Sequence, residues 1–145
     1  MIASFEAIVE REMETRTASC RCGALKATAI GEPARISVCH CLHCKARSGS
    51  AFSWNATWPE EQVETEGEAS SWTRHTEEGG RWCTYHFCPA CGSTVWYRIE
   101  LRPGMVTIPA GNFADADFGE PIYSSYGESS CLWVKLDTQE PLKER

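Results

Sequence analysis

The chain has 145 residues, a formal charge of −6 from 14 Lys and Arg against 20 Asp and Glu, a pI near 5.2 and a mean hydropathy of −0.37. The length fits one domain with a buried core. The acidic balance, without any Lys/Arg run, argues against nucleic acid as a partner, and no apolar stretch of about 18 residues offers a membrane span.

The first fifteen residues, MIASFEAIVEREMET, place Ile2, Phe5, Ile8, Val9 and Met13 at helical spacing behind Ser4, a good N-cap, which predicts a short helix packed on the domain. Met13 is an alternative start, and no function attaches to residues 1–15. This segment lacks the basic start and continuous apolar run of a secretory leader, so a reducing cytoplasm is the expected compartment.

Thr15 to Cys22 reads as an extended piece in which Cys20 and Cys22 face one side, as residues i and i+2 of a strand do. Leu25 to Ile30 reads as a second strand, closed by Gly31-Glu32-Pro33, with a hairpin around Gly23. A short strand, Ile36-Ser37-Val38, runs into Cys39-His40-Cys41-Leu42-His43-Cys44, the densest cluster in the chain. Three thiols so close converge only if the backbone turns between them, and a soft divalent metal is the usual reason. Ser48-Gly49-Ser50 then reads as a turn whose N–H groups, with Lys45 and Arg47, could face an anion.

Ala51 to Trp58 alternates through Phe52, Trp54 and Trp58 as a half-buried strand ending at Pro59, and the Glu-rich run 60–68 reads as a solvated turn or edge. Further strands are expected over Trp72 to His75, Arg81 to Phe87, Thr94 to Ile99 and Met105 to Ala110, with turns at Gly79-Gly80 and Pro103-Gly104. In Cys88-Pro89-Ala90-Cys91-Gly92, Pro89 presets one φ and Gly92 permits a left-handed turn, which folds two sulfurs into a tight knuckle. The βαβ pattern of a thioredoxin-like redox pair does not follow it. Residues 111–121 read as an acidic loop. Residues 122–136 close the fold with Tyr123, Tyr126, Trp133 and a strand through Leu136, before a frayed tail. Many short strands with Gly/Pro turns make an all-β domain.

Nine cysteines are many for this length, yet the odd count and the CxC and CxxC spacing of seven of them oppose a secreted disulfide framework. Cys20, Cys22, Cys88 and Cys91 suit one tetrahedral structural zinc; Cys39, Cys41 and Cys44 would then hold a second metal with an open position. Pairing of Cys39 and Cys41 with the knuckle stays open at this level. So does a fourth ligand from His40, His43, His75, His86, Cys83 or Cys131, although Cys83 and Cys131 read better as small buried hydrophobes.

The ordered set Ser19-Cys20-Arg21-Cys22-Gly23-Ala24, Cys39-His40-Cys41-Leu42-His43-Cys44, Ser48-Gly49-Ser50-Ala51-Phe52 and Phe87-Cys88-Pro89-Ala90-Cys91-Gly92-Ser93 resembles the glutathione-dependent formaldehyde-activating enzymes, a family that includes centromere protein V. The resemblance runs from about Ala18 to Trp133. It implies a β-tent fold of short sheets around two zinc ions, with a domain over residues 16–137 followed by a tail over 138–145. It also implies a structural zinc on Cys20, Cys22, Cys88 and Cys91 and a catalytic one on Cys39, Cys41 and Cys44. The implied activity is that of a carbon–sulfur lyase joining glutathione and formaldehyde as S-(hydroxymethyl)glutathione. Lys45, Arg47, Ser48, Gly49 and Ser50 are the candidates for holding the substrate carboxylates. Where the family often carries a His and a large aromatic after Gly111-Asn112-Phe113, this chain has Pro121-Ile122-Tyr123-Ser124-Ser125-Tyr126. A zinc-stabilised binding module and a thiol redox sensor are the competing expectations.

Overall fold

The structure is a computed structural model that describes residues 3–76 and 80–139. Helix α1 (Phe5–Met13) is followed by β1 (Thr15–Ser19), β2 (Lys26–Ile30), β3 (Arg35–Cys39), helix α2 (Leu42–Ser48), β4 (Ser53–Pro59), β5 (Val63–Glu66), β6 (Ser70–His75), β7 (Trp82–Phe87), β8 (Thr94–Ile99), β9 (Met105–Pro109) and β10 (Tyr123–Ser125). The strands form a three-stranded sheet, β1-β2-β5, and a seven-stranded sheet, β10-β3-β4-β9-β8-β7-β6, so the domain is mainly β as expected. Pairing is antiparallel except for β10, which runs parallel to β3.

The core lies between the two sheets. Ala18, Ala27 and Ala29 on the small sheet pack with Ala56, Trp58, Val95, Val106 and Ile108 on the large one. A row of alanines keeps that face thin, so the sheets approach closely and the Trp58 indole donates to the Gly31 carbonyl at 3.1 Å. The opposite face of the large sheet is also covered, which corrects the half-buried reading of β4. Ser53, Asn55 and Thr57 are buried together with Ala56 and Trp58, because the second face floors a cavity rather than meeting solvent.

Four other expectations change. The β1 strand stops at Ser19, and residues 20–24 form a turn, with Gly23 at φ 86°, so Cys20 and Cys22 converge through a loop and not through strand alternation. Residues 42–48, where the sequence suggests only a backbone turn between the thiols and a turn at Ser48-Gly49-Ser50, form a helix. Ser4 does cap α1, accepting from the Ala7 N–H at 3.2 Å, yet Phe5, Ile8 and Met13 face outward instead of packing on the domain. No strand passes through Leu136: residues 134–138 are irregular and Trp133 is exposed. Ile2, Gly79 and the end of the tail lie outside the described residues.

Candidate metal centres and the cavity beside them

Two loops of similar build bring the first four thiols together. In the first, the Cys20 N–H donates to the Leu25 carbonyl, the Gly23 N–H to the Cys20 carbonyl, and the Leu25 N–H to the Cys20 sulfur at 3.2 Å. In the second, the Cys88 N–H donates to the Ser93 carbonyl, the Gly92 N–H to the Cys88 carbonyl at 2.8 Å, and the Cys91 N–H to the Cys88 sulfur at 3.5 Å. Gly92 sits at φ 80°, the conformation that lets the loop close behind Cys91. One loop joins β1 to β2 in the small sheet and the other joins β7 to β8 in the large one, so the cluster bridges the sheets.

The sulfur spacing tests whether a metal fits. Cys20 to Cys22 and Cys22 to Cys88 are each 3.7 Å. A tetrahedral ion with sulfur at about 2.3 Å requires an edge of about 3.8 Å. Cys20 and Cys88 are buried while Cys22 and Cys91 face solvent, so the ion would plug a gap open on one side. Hydrogen bonds from Ser93 hold the Cys91 thiol down to about 5, a bias toward the thiolate that a metal needs.

The second cluster combines a strand end and a helix start. Cys39 closes β3, and Cys41 caps α2, its sulfur accepting from the Cys44 N–H at 3.3 Å. One helical turn then separates Cys41 from Cys44. Hydrogen bonds from Cys39 and Cys44 hold the Cys41 thiol far below its usual range, while the bond to Cys41 pushes Cys39 up. Three sulfurs this close share one negative charge, and only a cation among them lets all three ionise. His40 lies between two of them yet turns away: fully buried, it pairs Nε2 with Ser124 Oγ at 3.1 Å, and its backbone N–H donates to the Ser125 carbonyl. The ligand atoms of Cys39, Cys41 and Cys44 lie within 4.8 Å of one another, and among the described residues no further His, Cys, Asp or Glu joins them. Among the described residues neither set borrows a member from the other, and none of the candidate fourth ligands lies with the three thiols.

The open side of this cluster faces a cavity of about 250 Å³ on the second face of the large sheet. Its floor carries Ser37, Asn55, Thr57 and Thr107, its walls Trp82, Tyr85 and Tyr97, and its rim Arg35, Arg74 and Arg102. Burial raises the Tyr85 and Tyr97 hydroxyls, so both are neutral donors. Cys83 also lines it and is half-buried rather than enclosed in the core; burial raises its thiol.

The anion-binding candidates separate. Arg47 lies beside Tyr85 and Tyr97, its guanidinium carbon 5.7 and 5.3 Å from their ring centroids, with Nε and Nη2 buried and unpartnered. With Ser48 it lines a separate, neighbouring cavity of about 350 Å³ that reaches Gly92 and Ser93. The Ser48 hydroxyl donates to the Cys44 carbonyl. Lys45 points elsewhere, donating to the Ser129 carbonyl and toward the Cys131 sulfur at 3.5 Å. Gly49 is the left-handed cap of α2, its N–H spent on the Lys45 carbonyl, and Ser50 is exposed. The cavity arginines were missed in the sequence because they come from β3, β6 and the β8–β9 turn, and only strand register brings them to one face.

Fold and site together define a mainly β protein with one four-thiol and one three-thiol centre, each able to hold a metal ion. The glutathione-dependent formaldehyde-activating enzyme family matches residues 15–129, and the chain belongs to that family. Its fold is similar to that of a crystallised Rhodobacter sphaeroides protein, with a TM-score of 0.57 and 18% identity, over 75% of this chain and 99% of that one. No curated protein matches.

Proposed function

We propose that the chain is a zinc-dependent carbon–sulfur lyase that joins a thiol of the glutathione type to formaldehyde or another small aldehyde. The observation that carries this reading is the three-thiol cluster opening on a cavity with no fourth protein ligand among the described residues. Cys20, Cys22, Cys88 and Cys91 would hold a structural zinc and Cys39, Cys41 and Cys44 a second one. Bound at the second cluster, zinc would supply a positive charge that favours the thiolate form of an incoming thiol.

Residues of this cavity and of the neighbouring one hold the partners. Arg47 binds a substrate carboxylate, with Ser48 beside it; Lys45, Gly49 and Ser50 have their polar groups directed elsewhere or outside the cavities and are not carried forward. Substrate sulfur attacks the carbonyl carbon, the new C–S bond forms as the C=O π bond breaks, and the thiol's proton ends on the former aldehyde oxygen. Nothing is oxidised or reduced. Neutral Tyr85 and Tyr97 hydroxyls can donate to the oxygen as charge develops there. All nine cysteines are free of disulfides, which suits a reducing compartment, and we place the protein in the cytoplasm.

Thiols add to formaldehyde unaided, so the test couples binding to rate. Reduced glutathione titrated calorimetrically into protein of known zinc content should bind saturably, and C–S bond formation should exceed the uncatalysed rate at the same pH. Both should vanish in Cys41→Ser. A rate equal to background with intact two-zinc protein would overturn catalysis.

A further inference from the structure

We propose that the cavity beside Cys39, Cys41 and Cys44 is built for a thiol that bears an amide and ends in a multiply charged anion such as a phosphate. This rests on the thiol–aldehyde reading above and specifies its substrate.

Charge is the first observation. The chain as a whole is acidic, yet Arg35, Arg74, Arg81 and Arg102 line this cavity and Glu100 is the one carboxylate among its described lining residues. The ion pairs Arg16–Glu32 and Arg98–Glu60 use arginines elsewhere, and Arg74 and Arg102 make no ion pair among the described residues. Arg35 is aimed by stacking, its guanidinium carbon 4.1 Å from the Tyr123 ring centroid. A cationic rim on an acidic protein concentrates anions.

Register supplies the second observation. Arg35 begins β3 and Cys39 ends it, four residues or about 13 Å apart along the strand. Arg35 pairs with Thr57, Thr57 with Thr107, and Thr107 with Tyr97, so one row crosses the cavity away from the thiols. Between row and thiols sits Asn55, 3% exposed, with Nδ2 donating to Ser53 and Oδ1 buried without a partner. A buried lone acceptor is costly unless a ligand supplies the N–H. From one end to the other the cavity therefore offers a thiol site, an acceptor for an amide N–H, and guanidiniums.

Pantetheine and pantetheine 4′-phosphate differ by the phosphate alone and give the test. Each, and reduced glutathione, is titrated into zinc-loaded protein at low and high salt. Pantetheine 4′-phosphate should bind at least about ten-fold tighter than the other two at low salt, with the margin shrinking as salt rises. Arg35→Gln and Arg102→Gln should each remove most of that margin while changing pantetheine affinity less than about two-fold, a built-in check that the variant is folded. Equal affinity for the two pantetheines, or glutathione binding tightest, overturns this proposal and leaves the thiol–aldehyde reading standing. Failure of every thiol to bind overturns both.

Discussion

At the scale of single residues, the same atom does two jobs. Cys88 is buried, its sulfur accepts an N–H from its own loop, and it sits 66 positions from Cys22, 3.7 Å away. Cys41 is half-buried at the head of a short helix and faces a cavity. Serine at position 88 should therefore remove much of the roughly 10 kcal/mol that the proposed structural zinc would contribute to folding, seen as loss of a cooperative melt. Serine at position 41 should lower the zinc count by one and leave the melt within a few degrees. Equal unfolding of both variants would mean that the second centre is structural too. The sequence makes these thiols readable because short spacing is itself the signal: CxC and CxxC bring sulfurs within reach of one ion. Arg74 and Arg102 carry no such mark. His40 misleads in the opposite direction, since its neighbours mark it as a ligand while its ring is committed to Ser124.

Among the elements, strands with turn residues at both ends were legible, and exceptions have local causes. Helix α2 has seven residues, too few for a helical period to show, although its cap at Gly49, φ 64°, stands in the sequence. The β4 strand misled because alternation assumes one wet face, whereas both of its faces are covered. The link between β5 and β6 makes the sharpest prediction here. Gly67 has φ 101°, and a Cβ on it would lie 2.1 Å from the Ala24 carbonyl oxygen, in the loop that carries Cys20 and Cys22. Gly67→Ala should cost at least about 2 kcal/mol through backbone strain and displacement of that loop, read from the urea midpoint, and should weaken zinc retention at the first centre. Gly49→Ala, with a positive φ but nothing within 4 Å of its Cβ, should cost only about 1 kcal/mol. Matching losses at the two positions would show that Gly67 matters through its φ alone.

Taken whole, the molecule is two sheets of unequal size joined by a thin alanine-rich core on one side, with four sulfurs at one end where a metal ion would tie them. The small sheet contributes Ala18, Ala27 and Ala29 to that core, together with Leu25 from the loop between its first two strands, a modest apolar area. A metal ion held by the sulfur cluster would compensate by tying the loop after β1 to the loop after β7 across some 66 residues. By the loop-closure relation for a covalent link, a tie of that span is worth about 4 kcal/mol in restricting the unfolded chain. Zinc removal with a strong chelator should accordingly act in two stages. The second cluster, half-buried and with three ligands, should lose its ion first, abolishing thiol binding while far-ultraviolet circular dichroism and the melting temperature hold. The four-thiol centre should empty later, and the melting temperature should then fall by about 15 °C or more, given that 1 kcal/mol shifts a domain of this size by a few degrees; returning zinc should restore it. A single stage, with binding and melting lost together, would show that the two centres are energetically one and that the division of labour between sheet junction and cavity is wrong.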